Sequence, residues 1–504
     1  MFKRILIANR GEIAVRIIRA CRELGIESVA VFSDADRAAL HVREADFAVN
    51  VGAPPAAESY LKTDRIIEAA LRTNSEAIHP GYGFFSENAS FARAVEVAGL
   101  VFIGPPVSAI EQMGDKVAAR KLMMEAGVPV VPGSPGTLAD EAEVRAAAAI
   151  IGYPIMLKAA AGGGGKGMRL IENDEDLASA VRVVANEAKS SFGDGRFYVE
   201  KFVRRPRHIE VQVFGDSLGH TVHMFERECS IQRRHQKVVE ESPSPFVSPE
   251  MRTAMGEVAV RAARAVHYVG AGTIEFLADA EQNFYFLEMN TRIQVEHPVT
   301  ELVTGLDLVK LQLRVAAGES LPFTQDELQQ RGWAVECRVY AEDPAAGFAP
   351  APGRIQTMQS PAGPGIRLDV GVYAGAEVPI FYDPMICKLI AWGCDRDEAL
   401  ARMRRALDEF TITGELTSNL DFHRWLMRHP LFQKGEFDTG FIDQEYHAQT
   451  DGIDRDSARV AAILAAAFVA SRDASHVSST APFASGAAPV SAWKTLGRMD
   501  TLRR

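Results

Sequence analysis

Cysteine is scarce in this chain of 504 residues. There are five, at 21, 229, 337, 387 and 394, an odd number with no C-x-x-C pair among them. That excludes a disulfide framework and fits a reducing compartment. Long apolar runs are missing too. None approaches the roughly 18 residues a membrane helix needs, and the longest candidate, 460–469, is far too short. The opening M-F-K-R-I-L-I-A-N-R is too short in its apolar run for a signal peptide, so a cytoplasmic location is expected. Positive charge is in deficit, with a net charge of -11, which argues against nucleic acid as a partner. Two nucleotide signatures are also absent. The first strand-to-helix turn, A-N-R-G-E-I-A, lacks G-x-G-x-x-G, and no G-x-x-x-x-G-K-[ST] occurs. Neither a dinucleotide site nor a P-loop is expected.

What is present is an ordinary globular balance, 47% hydrophobic and 24% charged, over a length that allows about three domains. The most informative stretch runs from Glu275 to His297. Apolar runs at 273–277 and 283–289 flank the polar 279–282, which predicts a β-hairpin. Glu275 and Glu288 interrupt its strands. A buried carboxylate is costly unless paired or metal-bound, and two facing carboxylates repel unless a cation lies between them. Hard oxygen ligands of this kind suit Mg²⁺ held with substrate phosphates, and Asn290 can add an amide oxygen. A polar loop follows, with Arg292, Gln294, Glu296 and His297.

The preceding chain alternates strand and helix up to about residue 113, which predicts a parallel α/β sheet. H-P-G-Y-G-F-F-S-E-N, 79–88, follows a strand at the sheet's ligand-binding edge, where it reads as a Gly-Pro turn or a ligand loop. Gly114-Asp115-Lys116 opens a helix to about 126. The strand Y-P-I-M-L-K-A-A carries Lys158 among apolar residues and leads into A-G-G-G-G-K-G-M, 161–168. Glycines there let backbone approach an anion; alone, the run could equally be a flexible hairpin tip. A helix is expected over 174–188, a strand over 197–203 and another from His208. In R-E-C-S-I-Q-R-R-H-Q-K-V-V-E-E-S-P, 227–243, charges alternate with Ile231, Val238 and Val239, so some are expected to be buried and paired. Helices are expected over 249–268 and 300–317. Arg338, in the strand 334–340, is expected to pair with Glu336 or Glu342, or to serve a site. A helix over 393–410 and the segment 418–432 close the pattern. An Ala-rich helix over 457–469 and a linker-like tail follow.

E-M-N-T-R-I-Q-V-E-H-P-V-T-E resembles the signature of biotin carboxylases, members of the ATP-grasp superfamily. The loop 79–88 (with Phe85 where Leu is common), the 227–243 segment and C-R-V-Y-A-E-D-P match the same pattern, and the resemblance covers roughly residues 1–447. It implies an α/β protein with four parts: an N-terminal α/β domain over 1–113, an ATP-grasp domain over 114–331 with a mobile lid at about 131–203, a C-terminal α+β domain over 332–447, and a helix plus flexible tail over 448–504. It implies ATP contacts from Lys116, Lys158, Gly163, Gly164, Gly165, Lys166, Gly167, Met168, Glu200, Lys201, Phe202, Val203, His208, Gln232, His235 and Leu277. Glu275, Glu288 and Asn290 would hold Mg²⁺ or Mn²⁺ with the nucleotide. Lys237, Arg292, Gln294, the Val295 backbone and Glu296 would bind bicarbonate, with Glu296 as base. Tyr82 and Arg338 would meet biotin. No A-M-K-M biotinylation motif occurs, so biotin is expected on a separate biotin carboxyl carrier protein. The expected setting is an acetyl-CoA or other acyl-CoA carboxylase with a carboxyltransferase subunit, or else a pyruvate carboxylase, the chain itself forming a homodimer. The alternatives are another ATP-grasp ligase, which should not need Q-R-R-H-Q-K or Arg338, and a non-catalytic nucleotide-binding scaffold.

Overall fold

The computed structural model describes residues 1–134, 136–159, 168–192 and 196–447. The expected helix at 457–469, the tail and the glycine run Gly163–Gly167 with Lys166 lie outside them.

The N-terminal sheet is parallel throughout. Arg4–Ile7 lies at its centre, flanked on one side by Glu27–Ser33 and Phe47–Gly52 and on the other by Ala77–His79 and Val101–Phe102. The helix Gly11–Glu23 follows the first strand at once. Gly11, at φ +65, makes that turn in a conformation other residues resist.

The second sheet is antiparallel and has eight strands. Their order is Phe284–Asn290, Gly270–Ala278, Arg207–Gly215, Thr221–Arg233, Gln236–Ser242, Trp333–Tyr340, Met385–Gly393 and Ile366–Val370. The strand from the 227–243 segment pairs directly with the strand carrying Arg338, placing Val239 opposite Cys337. The C-terminal region therefore extends this sheet edge to edge rather than only packing back on it. Alternation sorts the faces. In Arg207–Gly215, Ile209, Val211 and Val213 pack on Met255, Ala259 and Ala262 of the helix Pro249–Ala265. His208, Glu210 and Gln212 therefore face the other way.

A third, three-stranded sheet has the order Met168–Ile171, Ile155–Ala159, Phe197–Lys201. It is backed by the helices Glu141–Ile151 and Asp174–Phe192 around Val144, Leu157, Val184 and Val199.

Two expected helices are corrected. The stretch 300–317 is two helices, His297–Thr304 and Leu308–Ala316. Gly305, at φ +73, ends the first, and the Asp307 side chain caps the second by accepting from the Lys310 amide. The helix expected from 393 starts at Arg396, capped by Asp395, because Gly393 completes the preceding strand.

Candidate active site

A cleft of about 810 Å³ is lined by the small sheet on one side and the polar face of the large sheet on the other. At one end it is largely apolar: Met156, Met168, Phe202, Val203, Leu277 and Phe286 line it. Here Lys158 stands opposite Tyr198 in the small sheet, and its Nζ donates to Glu200 Oε2 at 2.5 Å. Arg120 holds the other Glu200 oxygen at 2.9 Å. Glu200 is thus committed to two cations here. Lys201 turns its Nζ to the Gly152 and Tyr153 carbonyls, both at 2.9 Å.

Towards the middle, the ladder sets Glu275 opposite Glu288, as the hairpin pattern predicts, and Glu210 next to Glu275 on the other side. Like charges in such positions repel, and the neighbouring side chains answer them. Lys237 Nζ donates to Glu210, to Glu275 Oε1 at 2.7 Å and to Glu296 Oε1 at 2.8 Å, using all three of its protons. Burial opposes charge on Lys237, but the three carboxylates outweigh it and hold its pKa well above the lysine range. Glu275 also accepts from Asn290 and Gln294, both at 2.8 Å, and His208 Nε2 lies 3.0 Å from its second oxygen. Glu288 is half-exposed to the cleft, with Lys116 at 3.5 Å. One cluster of metal-ligating types here is His208, Glu210 and Glu275, whose donor atoms lie within 4.8 Å of one another. The Lys237 ammonium already answers that cluster. Glu288 is partly open to the cleft, so Glu288 beside Glu275 fits a hard divalent cation carried in with phosphates.

At the far end Glu296 receives Lys237 on one oxygen and Arg338 on the other, at 2.9 Å. Burial alone would favour its neutral form, yet Lys237, Arg338 and Arg227 hold its pKa well below the carboxylate range. Arg338 pairs with neither Glu336 nor Glu342. Its Nε donates to Glu240 at 2.7 Å, because the guanidinium reaches diagonally across the ladder, while Glu342 pairs with Arg233. Arg292 is held by Glu87 at 2.9 Å and by the Asn290 amide oxygen at 2.9 Å. Glu87 belongs to the 79–88 loop, so that loop is more than a bare turn: it braces the Arg292 side chain. Gln294, Val295 and Gln232 line the same end, with Gln232 bonded to His208 at 2.9 Å, and His235 sits exposed at the tip of the hairpin.

Tyr82 is not among the residues that line the cleft: its hydroxyl donates to Glu12 on the first helix, which lies 3.2 Å from Lys388, the residue opposite Arg338 in the sheet. Sequence reasoning also passed over Glu87, Arg120, Glu210, Arg227 and Lys388. A signal existed for Glu210: in H-I-E-V-Q-V the polar residues recur at every second place, which marks a polar face. Lys388 gave none, because its partner, the Val295 carbonyl at 2.8 Å, is remote in the chain.

Comparison with known proteins covers the chain in three consecutive blocks. Residues 1–110 match the model of the biotin carboxylase N-terminal domain, 115–324 that of the carbamoyl-phosphate synthase L chain ATP binding domain, and 336–444 that of the biotin carboxylase C-terminal domain. A biotin carboxylase of Halalkalibacterium halodurans is 54% identical over 89% of this chain and 99% of its own length. One of the subunits of the pyruvate carboxylase of Methanothermobacter thermautotrophicus is 54% identical over 88% of this chain and 90% of its own. Among solved structures, the biotin carboxylase domain dimer of Hydrogenobacter thermophilus 2-oxoglutarate carboxylase, in complex with MgADP, ADP and bicarbonate, superposes with a TM-score of 0.84. It is 47% identical and covers 89% of this chain and 98% of that one. With relatives this similar over nearly their full lengths, the chain belongs to the biotin carboxylase family of ATP-dependent ligases.

Proposed function

We propose that the chain carboxylates biotin presented by a carrier protein, consuming ATP and bicarbonate by way of carboxyphosphate. The observation that carries this reading is the far end of the cleft. There a carboxylate, Glu296, is gripped on both oxygens by Lys237 and Arg338, while Arg292 and Gln294 close in beside it. Such a place suits a small anion that must lose a proton. The Hydrogenobacter relative is in complex with MgADP and bicarbonate, which supports a site for a nucleotide and a small anion.

Lys116, Lys158 and His235 bind the nucleotide phosphates, and the apolar end with Leu277 and Phe202 takes the purine. Glu275 and Glu288 hold Mg²⁺ or Mn²⁺, which supplies charge neutralisation on the phosphates. Lys237, Arg292, Gln294 and the Val295 backbone orient bicarbonate. Glu296, held ionised, takes its proton; the anion, drawing on Lys237, weakens that ammonium's hold on Glu296 and raises its basicity. The bicarbonate oxygen attacks the γ-phosphorus and ADP leaves. Carboxyphosphate splits into CO₂ and phosphate, and phosphate takes the N1′ proton of biotin. Arg338 steadies the negative charge on the ureido oxygen while N1′ attacks CO₂.

The parent complex belongs to the same proposal. An acyl-CoA carboxylase, with a carrier protein, a carboxyltransferase and a homodimer of this chain, is the first reading. The equal similarity to a component of a pyruvate carboxylase favours pyruvate as the second. Phosphate release from Mg-ATP, measured with and without bicarbonate and free biotin, tests the first half-reaction. A biotin-stimulated rate that disappears without bicarbonate is expected. Turnover indifferent to biotin would point to a different ATP-grasp acceptor. Transfer of labelled carboxyl to acetyl-CoA, propionyl-CoA or pyruvate by the matching carboxyltransferase then separates the parent complexes.

A further inference from the structure

Beneath the cleft lies Arg227, completely buried in the strand Thr221–Arg233 and absent from the cleft wall. A guanidinium has five N–H donors and no acceptor. Here all five are used. Nε donates to Glu210 Oε1 at 2.5 Å, one terminal nitrogen to Gln212 at 2.7 Å and Thr300 at 2.9 Å, the other to Thr273 at 3.1 Å and Gln294 at 2.7 Å. Burial works against its charge, and Glu210 and Glu296 more than restore it.

Three of these bonds lead to the anion end of the cleft. Gln294 must turn its amide oxygen down to Arg227, so its NH₂ points at Glu275 and the cleft. Glu210, held on one oxygen by Arg227, offers the other to Lys237. Thr300 lies on the inner side of the helix His297–Thr304, which begins directly after Glu296. None leads to Lys116, Lys158 or the apolar end. We propose that Arg227 is a positioning residue for bicarbonate: it fixes the Gln294 amide directly, the Lys237 ammonium through Glu210, and the helix behind Glu296 through Thr300. This rests on the bicarbonate reading given above. Lysine cannot take its place, since one point charge cannot reach five acceptors spread in a plane.

The test is Arg227→Lys, assayed by bicarbonate-dependent, biotin-stimulated phosphate release, with ADP affinity measured by calorimetry. Misplacing groups by about 1 Å costs about 10²-fold. A fall of that order in kcat/KM for bicarbonate is expected, with ADP affinity kept within about threefold. Combined with Gln294→Ala, the loss should be smaller than the product of the two single losses, because the two side chains act through one contact. Should Arg227→Lys fail to melt cooperatively, Thr300→Val removes a single acceptor and should show the same split at about tenfold, roughly the worth of one charged hydrogen bond. An unchanged bicarbonate parameter, an equal fall in ADP affinity, or fully multiplicative losses would overturn the proposal and leave the functional reading standing. Wild-type protein without bicarbonate-dependent turnover would overturn both.

Discussion

Glu296 is strongly held on both oxygens, and the proposed reaction also asks it to take a proton. Lys237 and Arg338 keep it ionised, which a base requires, but they also lower its pull on a proton. Replacing it with glutamine keeps the shape and most of the hydrogen bonds but removes the proton acceptor. Glu296→Gln should lower kcat for bicarbonate-dependent phosphate release about 10²–10⁴-fold, with ADP affinity near that of the wild type. A turnover number close to wild type would remove the base from Glu296. At this scale the sequence was most informative where a charge interrupts an apolar strand. Glu275, Glu288, Lys158 and Arg338 all stood out that way, and each lines the cleft. Arg227 did not, because it sits in a run so rich in charge that nothing separates the buried cation from its exposed neighbours Arg234 and His235.

Secondary-structure elements were legible wherever period and punctuation agree. The carboxylate hairpin, the helix capped by Asp115 and the first parallel strands have both. The helix break at Gly305 was there to be read as well, in T-G-L-D, but the apolar spacing runs through it and hides it. The pairing of Gln236–Ser242 with Trp333–Tyr340 had no local sign, since strands so far apart in sequence find each other only through the folded sheet. The contact between the 79–88 loop and the loop after the hairpin is of the same kind. Glu87 accepts from the Arg292 guanidinium and from the Thr291 amide, 3.0 Å away, tying the parallel sheet's edge to the Glu296 end of the cleft. Glu87→Gln weakens the ion pair and leaves Arg292 with Asn290 and a backbone carbonyl. The KM for bicarbonate should rise about tenfold, the worth of one charged hydrogen bond, with the KM for ATP little changed. Equal KM values in variant and wild type would show that Arg292 needs no brace.

Across the whole described body, the three regions are joined by buried charge as well as by apolar packing. Lys388, fully buried on a C-terminal strand, lies 3.2 Å from Glu12 on the first helix and donates to the Val295 carbonyl beside Glu296. Arg16, one turn along that helix, reaches Glu301 at 2.8 Å, and Arg367 reaches Glu301 from the C-terminal side at 2.6 Å. Removing the central cation takes the ion-pair partner from buried Glu12, while Asp369 keeps Arg367, so Lys388→Met should destabilise the protein by about 3 kcal/mol, read from denaturant unfolding. The same network gives stability a pH dependence whose sign follows from Glu12. Burial raises its pKa from 4.5 to about 7, against the pull of Lys388. Between those values the folded protein keeps a proton that the unfolded chain releases. The folded state then binds more protons, and stability falls as pH rises through that window, levelling off above about 7. Glu240, also raised by burial, acts in the same direction. Glu275, Glu296 and Asp369, held below the ordinary carboxylate range, act oppositely and only in acid, where their contribution is lost as pH falls. In Glu12→Gln the titrating group is gone while the side chain keeps its volume. The melting temperature of that variant should therefore drop less between pH 5 and pH 8 than that of the wild type, by roughly the share of one carboxyl. Parallel melting curves for the two proteins over that range would show that Glu12 is ionised in the folded protein at every pH tested, and that Lys388 alone outweighs its burial.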